Sequence, residues 1–123
     1  MSLEGKRLVY LLSMTISLVS GGCTNTIHHE GCYVADPHIN GRYIGPCKSN
    51  KAHGFGKAIG EDSYEGEFFE GIIHGYGTYV WSDGDRYIGR FSNGQIHGRG
   101  VMRYFNGEEK AGLWENGKLV KPR

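Results

Sequence analysis

The chain has 123 residues, of which 14 are basic and 13 acidic, with a hydrophobic fraction of 38 %. That length accommodates one domain at most, and a near-zero net charge without a basic block argues against nucleic acid as a partner. Glycine supplies 21 residues against three prolines, without the three-residue period of collagen, so it points to turns and close packing at fixed places.

The N-terminus carries a targeting pattern. Lys6 and Arg7 precede the apolar run Leu8 to Val19, and Ser20, Gly21, Gly22 and Cys23 follow. A basic start, an apolar stretch well short of the roughly 20 residues of a spanning helix, and a small-residue exit describe a secretory signal. LVSGGC resembles the lipobox of bacterial lipoproteins, with Ser20 where that family usually has Leu. The resemblance implies lipidation of Cys23 after cleavage, residues 1–22 being the signal peptide. With Thr24 rather than Asp next, it implies an envelope protein anchored in the outer membrane and facing the periplasm if the host is diderm. A secreted or periplasmic soluble protein is the alternative.

Residues 23–42 show no period and read as a tether, with Asp36-Pro37 as a turn signal. His28, His29, Cys32 and His38 match no compact zinc spacing, and no metal or other cofactor is expected there. If Cys23 carries lipid, Cys32 and Cys47 remain as an even pair in an oxidising compartment. A bridge closing a loop of about 15 residues would contribute roughly 3 kcal/mol. Two free thiols are the other possibility.

From Tyr43 the chain repeats itself. YEGEFFEGIIHGYGTYVWSDGDR (Tyr64 to Arg86) is followed by YIGRFSNGQIHGRGVMRYFNGEE (Tyr87 to Glu109). Tyr64/Tyr87, Gly66/Gly89, Phe68/Phe91, Gly71/Gly94, His74/His97, Gly75/Gly98, Gly77/Gly100 and Gly84/Gly107 coincide. Such self-similarity marks a repeat architecture. Residues 43–63 form an atypical first unit, with Pro46 inside its first strand, Cys47 in the Phe68 position and Asn50 replacing the turn glycine. Residues 110–120 form a partial last unit of one strand and a turn, with Trp114 in the Phe68 position.

Within a unit, Tyr64, Gly66 and Phe68 alternate with Glu65 and Glu67, the period of a strand. A turn over Glu70 to Ile73 leads into a second strand near Gly75 to Trp81, and Asp83-Gly84 and Asn106-Gly107 supply tight-turn signals. The unit is therefore a β-hairpin. The chain is all-β: an antiparallel meander of hairpins in one elongated, twisted sheet, with no cleft deep enough for chemistry. Alternating glycines leave room for rings, and Tyr64, Phe68, Tyr79, Trp81, Tyr87, Phe91 and Tyr104 are expected to form a continuous packed row.

The pattern resembles the MORN (membrane occupation and recognition nexus) repeat, carried here by Tyr64, Gly66, Phe68, Gly71, His74, Gly75, Gly77, Asp83 and Gly84. The resemblance implies a glycine-rich hairpin array that serves as a scaffold, a dimerisation module or a membrane-associated platform. His53, His74 and His97 recur in equivalent places, but successive units set equivalent atoms about 9–10 Å apart, too far to share one metal ion. No nucleophile is paired with a base, so an envelope hydrolase is disfavoured and no small-molecule substrate is expected. The leading function is non-catalytic docking of a protein partner, or of a second copy, with Tyr76, Tyr79, Trp81, Tyr104 and Phe105 as contact residues. Lipid head-group binding is the alternative; Arg86, Arg90, Arg99 and Arg103 lie among acids in the sequence, and only Arg99 and Arg103 suggest a small patch.

Overall fold

A computed structural model of the chain describes residues 31–123. Its strands are β1 (Arg42–Ile44), β2 (Cys47–Lys48), β3 (Lys51–Ala52), β4 (Gly54–Ile59), β5 (Ser63–Phe69), β6 (Ile72–Val80), β7 (Arg86–Ser92), β8 (Gln95–Arg103), β9 (Glu109–Glu115) and β10 (Lys118–Pro122). Eight of them form one open antiparallel sheet in the order β1-β4-β5-β6-β7-β8-β9-β10, and β2 and β3 pair separately as a small hairpin. The described part of the chain is thus an all-β meander.

Two kinds of turn alternate along it. Inside the units the strands are joined by two residues that both have positive φ: Glu70-Gly71 (47° and 85°), Asn93-Gly94 (49° and 80°) and Asn116-Gly117 (49° and 80°). That is the type I′ geometry, whose twist matches the flanking strands. Between units the loop has three residues. Gly84 N–H donates to Trp81 C=O at 3.0 Å and Trp81 N–H to Asp85 C=O at 2.9 Å, with Gly84 at φ 96°. Gly107, Tyr104 and Glu108 repeat this arrangement. Asp83-Gly84 is therefore the second and third residue of a three-residue loop, with Gly84 at the bulge position that closes the turn begun at Trp81, not the centre of a two-residue turn.

One face of the sheet carries the core. Gly56, Gly66, Gly77, Gly89, Gly100 and Gly112 lie opposite one another in an unbroken row across β4 to β9. Tyr43 covers Gly56, Tyr64 covers Gly66 and Gly77, and Tyr87 covers Gly89 and Gly100; a β-carbon at any of these would overlap a ring. Each phenol donates three residues onward: Tyr43 to Pro46 C=O (2.8 Å), Tyr64 to Glu67 C=O (3.0 Å) and Tyr87 to Arg90 C=O (3.2 Å).

Edge-to-face contacts link these tyrosines into a ladder: Tyr43–Phe68 (5.3 Å), Phe68–Tyr64 (5.1 Å), Tyr64–Phe91 (5.3 Å), Phe91–Tyr87 (5.2 Å) and Tyr87–Trp114 (5.8 Å). Such T-shaped pairs are the favoured geometry and add to area burial. The row differs from the expected one in its members. Tyr43 and Trp114 join it, Tyr79 and Trp81 branch off as a pair 4.8 Å apart, and Tyr104 stays outside with the Lys110 ammonium 5.6 Å from its ring. Met102 stands opposite Tyr87 where the preceding unit has Tyr79 opposite Tyr64.

Both ends depart from the plain repeat. Pro46 does not lie inside a strand: β1 stops at Ile44, because proline offers no N–H to a ladder. From Cys32 onward the expected tether is folded. Tyr33 N–H donates to Asn50 C=O and Ala35 N–H to Gly71 C=O, while Val34 and Ile39 are buried. Cys32 and Cys47 are joined by a disulfide with Cα atoms 6.2 Å apart, tying this segment to β2. At the other end β10 completes a hairpin where one strand and a turn were expected, and the Trp114 indole N–H donates to Gly100 C=O at 3.1 Å.

Burial raises the pKa of the ladder phenols. Tyr87 is pushed up to about 12 against the hydrogen bond to Arg90, and Tyr43 is raised in the same way. Tyr64 is raised further by burial and then by the Glu67 charge. Tyr79 is raised by burial and then by its bond to the Asp62 carboxylate.

Phe91 sits between two tyrosine rings, and Phe91→Ala should cost about 3–4 kcal/mol in a denaturant titration; a loss under about 1 kcal/mol would contradict the ladder. Glu70, with φ 47°, stands where the next two units have Asn93 and Asn116 (and the β2–β3 turn has Ser49). Glu70→Asn should raise stability by about 0.5–1 kcal/mol, and an unchanged denaturation midpoint would refute the turn assignment. Each phenol holds its proton longer folded than unfolded, so above the ordinary tyrosine pKa of about 10 the unfolded chain is the form that ionises. Stability should be full below that pH and fall toward about pH 12, with phenolate absorbance and circular dichroism changing together.

Candidate functional site

The strand period that buries the ladder turns the intervening side chains to the other face, and that face is concave. Residues from β4 through β10 line one open groove of about 1030 Å³, among them Phe55, Lys57, Tyr76, Ile88, Arg99 and Leu113. The sheet was expected to have no cleft deep enough for chemistry, and what it has is an open groove.

Register places a single row across the groove floor: Lys57, Glu65, Thr78, Ile88, Val101 and Ala111 stand opposite one another on β4 to β9. Its centre is apolar and open to solvent, Ile88 being 41 % exposed and nearby Tyr76 56 %. The Lys57 ammonium approaches Glu65 at 3.9 Å, Glu67 accepts the Tyr76 N–H at 2.6 Å, and the Arg90 guanidinium lies 5.0 Å from the Tyr76 ring centre. Arg103 pairs with Glu109 at 3.1 Å. The groove lining contains one carboxylate, Glu65, and no His, Cys or Asp. Shape, apolar contact and cationic charge are what it offers.

The two faces also differ in how they repeat. On the core face Tyr64, Gly66 and Phe68 recur as Tyr87, Gly89 and Phe91, whereas on the groove face Glu65, Tyr76 and Val80 recur as Ile88, Arg99 and Arg103. The repeat-defining residues build the sheet, and the groove is assembled from the positions free to vary between units.

Of the five contact residues expected from sequence, Tyr76 lines the groove. Tyr79 is buried on the opposite face, its hydroxyl donating to Asp62 Oδ2 at 2.9 Å with Asp36 Oδ2 at 3.3 Å, so it has no free surface. Trp81 is half-buried against the core, and Tyr104 is half-buried beside Lys110. Phe105 is 82 % exposed but sits at a hairpin tip over Gly84. Thr78, Ile88, Val101 and Leu113 were missed; their signal is the alternation of β7 and β8, where Ile88 and Val101 stand between arginines.

The Asp62 carboxylate also accepts the Ser82 N–H at 2.8 Å, as Asp85 accepts the Phe105 N–H at 2.9 Å one unit later. This brace between units went unread because it straddles the unit boundary. His53 Nδ1 accepts the Glu70 N–H at 3.2 Å, and His53 and His74 flank the Phe69 ring. Among the described residues no three His, Cys, Asp or Glu side chains are grouped to hold a metal ion. Cys23, His28 and His29 lie outside the described residues.

Comparison with known protein families matches two of the sequence units to one repeat. The family model of the MORN repeat matches residues 64–86 and 87–109. No curated protein matches the chain. The two units that carry the tyrosine–glycine ladder and most of the groove floor are thus similar to the MORN repeat, a generally non-catalytic repeat associated with binding and scaffolding.

Proposed function

We propose that the chain is a docking module of the cell envelope, which receives a segment of a protein partner in the groove and is held at the membrane by lipid on Cys23. The supporting observation is the row Thr78, Ile88, Val101 and Ala111: an apolar strip left open on a sheet whose core lies on the other face. Contiguous exposed apolar surface with a polar surround is characteristic of interaction sites. The row crosses four strands at about 4.8 Å each, so its length of roughly 15 Å suits an extended segment or a short helix.

The lipid anchor is supported by the LVSGGC pattern, and the Cys32–Cys47 bridge is consistent with an oxidising compartment.

A photocrosslinking residue at Val101, compared with one at Lys110 on the other face, tests the docking site in the native envelope. A discrete protein adduct from position 101 and none from position 110 is the expected result. Equal labelling from both would end the proposal. In the same cells, Cys23→Ser should release the protein from the membrane fraction; unchanged sedimentation would remove the anchor.

A further inference from the structure

The groove carries a charge pattern that the linear sequence conceals. On β7, Arg86 and Arg90 stand on either side of Ile88, all three exposed on the groove face. On β8, Arg99 and Arg103 stand on either side of Val101 in the same way. Ile88 and Val101 face each other, and Arg86 lies directly opposite Arg103. Two apolar side chains are therefore framed at both ends by arginine pairs. Lys121 and Arg123 also line the groove, where Glu65 is held by Lys57; the other acids on this face are engaged, Glu67 by the Tyr76 N–H and Glu109 by Arg103.

Like charges directly opposite on neighbouring strands destabilise a sheet. Glu109 offsets Arg103, and the Tyr76 ring receives Arg90. Among the described residues neither Arg86 nor Arg99 has an ion-pair partner. The uncompensated pair is one that a ligand could neutralise.

We propose that the groove selects an acidic amphipathic segment of another protein, one presenting an apolar ridge flanked by Asp or Glu. This rests on the docking function above and names the chemistry of the partner. The ridge would lie along Thr78, Ile88, Val101 and Ala111, and the flanking carboxylates would reach Arg86 with Arg103 on one side and Arg90 with Arg99 on the other. Arginine suits this task because its planar fork binds carboxylates in two-point geometry. An anionic membrane fits less well. The apolar floor is recessed in a concave face that a flat bilayer does not follow, and a lipid head group brings no apolar ridge to cover it.

The test is selection from a displayed library of random peptides of about 16 residues on the full chain, long enough for four helical turns. Selected binders should be enriched in Asp and Glu flanking apolar positions, and their affinity should fall with added salt. The double variant Arg86→Gln with Arg99→Gln should weaken them at least about tenfold. That variant also relieves like-charge repulsion, so its fold should persist, as thermal unfolding would verify. Enrichment of neutral or basic peptides that Val101→Asp abolishes would overturn the acidic preference and leave groove docking standing. Absence of any enriched peptide would overturn both. Binding of phosphatidylserine-containing vesicles through the same arginines, without acidic peptides being enriched, would overturn the proposal in favour of a lipid surface.

Discussion

The structure depends on a tyrosine ring lying flat against a pair of facing glycines. Tyr64 on Gly66 and Gly77, and Tyr87 on Gly89 and Gly100, set how closely the strands and rings approach. Each phenol is then pinned by a hydrogen bond three residues along its own strand. The phenylalanine two residues before the strand-end turn or its neighbour fills the space between successive tyrosines, so every unit completes the core of the one beside it. A 23-residue hairpin cannot bury a core alone; adjacent units do so jointly.

That constraint determines what happens on the opposite face. With the core satisfied by rings over glycines, the outward positions carry no packing duty. Across two successive units they change from Glu65 to Ile88 and from Tyr76 to Arg99, while the Tyr, Gly and Phe of the first strand stay the same on the core face. The core is thereby confined to one side of a one-layer sheet, and the other side is left open. The arrangement needs closed ends, and three devices supply them: Trp114 at the last unit, Tyr43 at the first, and the segment from Cys32 to Ile39 folded over the first unit and tied to β2.

The repeat was legible because glycine, tyrosine and phenylalanine recur for local geometric reasons. A hairpin turn, a close backbone approach and a ring in the vacancy each demand particular residue types at particular offsets. The site was less legible. Tyr79 and Tyr76 are both aromatic and three residues apart, yet one is buried against Asp62 and the other lines the groove. The lead-in from Cys32 has no period to betray it, since it folds by filling the end of the array rather than by pairing in register.

Taken alone, the sequence determined the hairpin unit, its length, the ring-and-glycine pairing and the all-β class, because those follow from interactions within a unit or with its neighbour. Only the tertiary structure decided that the sheet curves and that its concave side is the open one. It alone brought Arg86, Arg90, Arg99 and Arg103 around Ile88 and Val101. The reason is register: residues up to 17 positions apart in the chain become neighbours through the pairing of β7 with β8, and a pattern running across strands leaves no mark along one of them.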